Sequence, residues 1–125
     1  MPSAPVIRGV DKLLGPAPLA LPIAGRIVAL DFQSALNSTQ GVATLRLELV
    51  PQGASQLRVH LQFTNVRELS LSSLPAEGLD CGGFGIEDGR GSNRPKVNWE
   101  VGDFQTGQIH FFAEEAEIVA VVMAG

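Results

Sequence analysis

Two aspartates, Asp88 and Asp103, and two histidines, His60 and His110, are the residues of this chain best suited to chemistry. A carboxylate beside an imidazole can orient a general base, and two carboxylates with an imidazole can hold a cation. Glu87 and Glu100 lie close to these aspartates in sequence, so four carboxylates would converge if their strands were neighbours. Both histidines with Asp103 would make a three-ligand metal set. Against this, His60 alternates with Arg58 and Gln62, where a solvated histidine belongs, and carboxylates at strand ends ordinarily face water. Cys81 sits in Leu79-Asp80-Cys81-Gly82-Gly83, a glycine flank that suits a nucleophile in a tight turn. No G-x-S-x-G accompanies it, and the serines between Leu69 and Leu74 have no histidine nearby in sequence. Cys81 therefore reads as a small buried or half-buried filler. Gly83, Gly85, Gly89 and Gly91 spell neither a phosphate loop nor a dinucleotide fingerprint. No catalytic, cofactor or metal-binding residue is assigned, and folding is expected to need no metal.

The elements that must position these residues are strands. Leu45, Leu47 and Leu49 alternate with polar neighbours, as do Leu57, Val59, Leu61 and Phe63, and period two with one apolar face marks a half-buried strand. Pro51 to Ser55 joins them as a hairpin. Ile27 to Phe32 and Val66 to Leu71 are further strands. In Leu79 to Gly91 the glycine density predicts bulges or close backbone approach. Val97, Trp99 and Val101 alternate again, which places Trp99 in the core rather than on a stacking platform. A three-residue turn at Gln105-Thr106-Gly107, with Gly107 left-handed, would set Val101 on one face with Ile109 and Phe111. A two-residue turn would instead put Val101 across from Phe112, and period two makes the registers exclusive. Glycines and polar residues at Asn37, Ser38 and Gly41 mark a turn.

Five of the eight prolines fall within the first 22 residues. Residues 1–25 are expected to form an extended arm over the domain, anchored by Leu13, Leu14, Leu19 and Leu21. The apolar stretch Leu13 to Ala24 is broken by Pro16, Pro18 and Pro22, unlike the apolar core of a signal peptide. The expected fold is all-β and mostly antiparallel, a single domain over 1–125. It is a two-layer sandwich or an open barrel of about eight strands.

At 125 residues and 45% hydrophobic residues, the chain can bury a core without disulfides, and its one cysteine allows no intrachain disulfide. That usage suits a reducing compartment and predicts a cytoplasmic protein. No apolar run approaches the ~20 residues that span a bilayer, so no membrane role is expected. A formal charge of −4 argues against general nucleic-acid binding. The charge is uneven: Met1 to Arg67 holds six basic and three acidic residues, and Glu68 to Gly125 three basic and ten acidic. Either the halves neutralise each other on packing, or an acidic face awaits a basic partner.

Three stretches carry a resemblance: Phe63-Thr64-Asn65-Val66 with Leu69 and Leu71; Gly83-Phe84-Gly85-Ile86-Glu87-Asp88; and Trp99-Glu100-Val101-Gly102-Asp103-Phe104 with Gly107, Ile109 and Phe111. Together, from Leu57 to Ile118, they resemble β-rich domains of unassigned role in bacterial genomes. Some of these are grouped with the immunity proteins of polymorphic toxin systems. The resemblance implies a cytoplasmic bacterial β domain and transfers no catalytic residue. Seven arginines against two lysines, with abundant Ala, Gly and Pro, suit a GC-rich genome.

The expectation for function is a non-enzymatic protein-interaction module, with an immunity-like inhibitor as one concrete form. The alternatives are a small enzyme or metal-dependent site using Asp88, Asp103 and a histidine, and a structural, self-assembling subunit. Ile118 to Met123 has no polar residue to mark a solvent face, as in a strand buried on both sides. Its second face calls for a cover, either the arm or a second copy of the chain. A homodimer is the preferred expectation.

Overall fold

The computed structural model describes residues 6–9, 11–12, 21–36, 41–72, 76–92 and 94–123. Eight strands form one antiparallel sheet, which is open rather than closed into a barrel. They are β1 (Ile23–Gln33), β2 (Thr44–Pro51), β3 (Leu57–Thr64), β4 (Arg67–Leu71), β5 (Leu79–Asp88), β6 (Trp99–Asp103), β7 (Ile109–Ala113) and β8 (Glu115–Met123). Their order across the sheet is β4-β7-β6-β5-β1-β2-β3-β8. No α-helix occurs among the described residues.

The alternating leucines do what their period requires. Leu45, Leu47 and Leu49 on β2 and Leu57, Val59, Leu61 and Phe63 on β3 are buried, and their polar neighbours face out. The sheet curls so that distant strands share this core. Phe63 on β3 lies edge-to-face against Phe84 on β5 at 6.4 Å and Phe111 on β7 at 4.9 Å. In a flat sheet, three strand spacings would separate β3 from β5 by ~14 Å, and five would separate β3 from β7 by ~24 Å. The bend falls where β3 runs into β4 and β7 into β8. There the Glu114 N–H donates to the Thr64 carbonyl at 3.1 Å, and the Asn65 amide to the Glu114 carboxylate, also at 3.1 Å. Asn65 takes a left-handed φ of 55°, which a short polar side chain tolerates well.

The β6–β7 hairpin adopts the three-residue register. Val101 faces Phe111 and Gly102 faces His110, Gly107 has φ 71°, and its N–H donates to the Asp103 carbonyl at 2.8 Å. A Cβ on Gly107 would meet nothing within 4 Å, so only its backbone conformation demands glycine. Gly107→Val should therefore cost about 1 to 2 kcal/mol in urea titration, and Gly107→Asn distinctly less. Equal costs would contradict that account.

Two expectations change, and a third that stood open between two readings is partly decided. The first concerns the arm, which ends earlier than residue 25, because Ile23 and Gly25 already pair with β5. Leu13, Leu14, Leu19, Asn37 and Ser38 lie outside the described residues, while Leu21 packs on the core as expected. The second concerns the strand ending at Met123, which is an edge strand rather than one buried on both faces. Ile118 is buried, but Val119, Val122 and Met123 are 40%, 43% and 58% exposed. A bulge opposite His60 and Leu61 inserts Val119 and breaks the alternation. Hydropathy reports only that a strand is apolar, and the sheet order decides how many neighbours it has. The third is the charge split, which is partly resolved within the chain. Arg8 lies 3.1 Å from Glu115 and Arg26 lies 2.8 Å from Asp80, each joining the basic half to the acidic one.

Candidate functional site

The carboxylates picked out by sequence separate. Asp88 pairs with Trp99 at one end of the β5–β6 ladder, and Asp103 pairs with Phe84 at the other, four residues and ~13 Å away. Asp88 is exposed and accepts three side-chain bonds from Arg90, one from Nη2 at 2.7 Å and two from Nε at 3.0 and 3.2 Å. Those bonds, with the Arg90 N–H, hold its carboxyl down at about 2. Asp103 faces inward and is 1% exposed. Its carboxylate accepts from the backbone N–H of Gly82 (3.2 Å), Gly83 (3.3 Å), Gln105 (3.1 Å) and Thr106 (3.4 Å), and from the Thr106 hydroxyl. Burial pushes this carboxyl up, yet the Thr106 hydroxyl and the N–H groups outweigh it and hold it below its ordinary value. Asp103 is thus an internal fastener between the β6–β7 turn and β5. Part of the glycine density has a steric reason at the far end of β5, where a Cβ on Gly89 would lie 2.7 Å from the Trp99 backbone.

The histidines also part. His60 stands on the outer face of β3, 3.4 Å from Glu48. His110 stands on the outer face of β7, and its Nε2 lies 2.6 Å from the Glu100 carboxylate. Asp103 is on the opposite face of the sheet from His110, since β6 alternates and Glu100 and Gly102 point outward. Cys81 is buried, and burial pushes its thiol up to about 12, which leaves it unreactive. Among the described residues no group of three His, Cys, Asp or Glu side chains is placed to hold a metal.

Around His110 the outer face carries a cluster that no spacing in the sequence announces. The imidazole lies edge-to-face between Phe104 at 6.4 Å and Phe112 at 5.1 Å. The Arg94 guanidinium rests 4.0 Å above the Phe112 ring and is held by Glu68. That pairing keeps the Glu68 carboxyl below its ordinary value. Glu68 takes a left-handed φ of 55° where β4 slips register against β7, and such a backbone is uncommon for a long side chain. Phe104 is 40% exposed, and its ring covers Gly85, where a Cβ would come within 3.3 Å. Ser70 is the cross-strand partner of His110, so a serine, a histidine and Glu100 adjoin. No hydrogen bond joins the Ser70 hydroxyl to the imidazole, and that bond is what activates a serine. Sequence reasoning missed Glu68, Ser70, Arg94, Phe104 and Phe112 because they come from four separate segments.

A sizeable cleft lies elsewhere. It encloses about 740 Å³ where the β2–β3 hairpin, the starts of β1 and β5 and the β6–β7 turn meet. Arg26, Arg58, Glu77 and Asp80 line it, and neither histidine, Asp88 nor Asp103 does. Arg26 is neutralised by Asp80, and Arg58 donates to the Ser55 and Leu57 carbonyls at 2.8 and 3.1 Å.

Fold and site together define an all-β domain built on one open, curled antiparallel sheet, with a polar and aromatic cluster on its outer face. Comparisons with protein-family models, curated proteins and solved structures each found no match to this chain.

Proposed function

We propose that this protein is a non-enzymatic interaction module of the bacterial cytoplasm that binds a protein partner through the outer face of β5, β6 and β7. The observation that carries the reading is the half-exposed Phe104 beside His110, with Arg94 laid over the buried Phe112 ring, on an open sheet face rather than in a cleft. Aromatic residues and arginine are the types that dominate protein interfaces, because they bring large contact area with few rotatable bonds. Arg90 and Arg94 are paired with Asp88 and Glu68, whereas Glu87 and Glu100 stand opposite each other on β5 and β6, which favours a basic partner surface. An immunity-like inhibitor that covers a basic toxin surface is the concrete form consistent with this charge.

The test uses the immobilised chain in lysate of its source cell. A protein should be retained at low salt, released as salt rises, and lost from Glu100→Lys and Phe104→Ser variants whose circular dichroism is unchanged. Retention that neither substitution affects, or none at all, would remove this reading. The enzymatic alternative would gain if the chain cleaved activated esters and His110→Ala abolished the turnover.

A further inference from the structure

The cleft where the β2–β3 hairpin meets the starts of β1 and β5 shares no residue with the His110 cluster. Its charges follow one row of cross-strand neighbours. Asp80 on β5 pairs with Arg26 on β1, and Arg26 pairs with Val50 on β2. The β2–β3 register runs through Leu49 with Val59, which sets Val50 beside Arg58 on β3. Cross-strand neighbours share a face of the sheet, so these four side chains stand on one side of it.

The two ends of the row differ in charge. At the β5 end two carboxylates meet one guanidinium. Arg26 Nε donates to Asp80 at 2.8 Å, and that bond, with the Glu77 charge after it, holds the guanidinium above its ordinary value. At the β3 end Arg58 has no carboxylate partner among the described residues. Its Nη1 donates to the Ser55 and Leu57 carbonyls at 2.8 and 3.1 Å, which occupies both hydrogens of that nitrogen. The Nε and Nη2 hydrogens remain, and they form the edge of a guanidinium whose parallel bonds match a carboxylate. Val50 separates the ends, and Val28 adds a second apolar side chain to the lining. The volume of about 740 Å³ is that of a small-molecule site.

We infer that this cleft binds a short peptide with free ends, its carboxylate on Arg58 and its ammonium against Glu77 and Asp80. The charges of Arg26, Arg58, Glu77 and Asp80 sum to zero, which favours a ligand with no net charge over a simple ion. Arg26 and Arg58 stand two strand spacings apart, ~10 Å. An extended tripeptide reaches about as far, at ~3.3 Å per residue. A free α-amino acid carries both charges on one carbon and cannot meet both ends. An inorganic anion would use Arg58 alone. This site does not involve the His110 face, so either reading can fail alone.

The test is calorimetric titration with triglycine at low salt, set beside N-acetyltriglycine and triglycine amide. Triglycine should bind saturably, one per chain, and each blocked form about tenfold more weakly, because each lacks one hydrogen-bonded charge. Arg58→Gln should bind triglycine and its amide alike while still favouring both over the acetylated form. Glu77→Gln should shrink the effect of acetylation and leave the effect of amidation whole. The blocked peptides act on the unsubstituted chain, so the test stands even if Arg58→Gln loosens its hairpin. No binding of triglycine at millimolar concentration would overturn the inference, as would blocked peptides that bind as tightly as the free one. Inorganic phosphate that bound in place of triglycine, and was lost from Arg58→Gln, would make the cleft a plain anion site and overturn it too.

Discussion

Replacing Asp103 with alanine should destabilise the protein by about 4 kcal/mol and lower its melting temperature by roughly 15 °C. The carboxylate accepts from four backbone N–H groups and one hydroxyl while almost wholly out of water. Truncation leaves those donors facing a gap, and orphaned buried donors cost more than the bonds themselves contribute. Asp103→Asn should fall between, since its amide nitrogen can no longer accept. The same bonds make the effect depend on pH. The carboxyl is held below its ordinary 3.8 in the folded protein, so its contribution is complete above that value. It is lost as pH falls further, through the folded-state value. The urea midpoint should thus stay level down to about pH 4 and drop below it, with a shallower drop in Asp103→Asn. Asp88 and Glu68 shift in the same direction, but their exposed ion pairs add little. An Asp103→Ala variant within 1 kcal/mol of the parent would show that the turn stands without its fastener.

Phe63→Ala should cost a similar amount, about 4 kcal/mol, for a different reason. Phe63 is fully buried and is the one ring in contact with both Phe84 and Phe111, on strands two and four places beyond its nearest neighbour toward that edge of the sheet. It holds the curl of the sheet. Removing it opens a cavity where the two halves meet, while Phe63→Leu keeps most of the volume and should cost about 1.5 kcal/mol. Urea titration of both variants decides the matter. Equal costs would mean that edge-to-face contact, not filled volume, sets the loss.

The site and the fold are linked at the same hairpin. β6 sends Trp99, Val101 and Asp103 inward and Glu100 outward, so one short strand contributes to the core, to the internal fastener and to the outer cluster. A one-residue slip would exchange these faces. The fastening of the β6–β7 turn by Asp103 therefore also fixes where Glu100 meets His110.

Local chemistry in the chain determined a good deal of this protein. Period-two leucines at 45–49 and 57–63 determined two strands and their inward faces, because alternation in hydropathy is a property of a strand by itself. The left-handed Gly107 and the hairpin register were legible together, although the closing bond from the Gly107 N–H to the Asp103 carbonyl places the turn at Phe104–Thr106, one residue earlier than expected. Cys81 and Trp99 were legible as core for the same local reasons. What only the tertiary structure decided depends on which strands are neighbours. Asp103 looked like a candidate acid and proved to be a buried acceptor, because the glycine N–H groups that satisfy it lie twenty residues earlier in the chain. His110 acquired Glu100, Phe104, Phe112, Ser70 and the Arg94–Glu68 pair through cross-strand register and a bulge at Glu68. The apolar run to Met123 became an edge because β3 has β2 on its other side and, among the described residues, only the arm lies beyond β8. Hydropathy along a chain records how much water a segment avoids, and only the order of strands in space settles what takes the water's place.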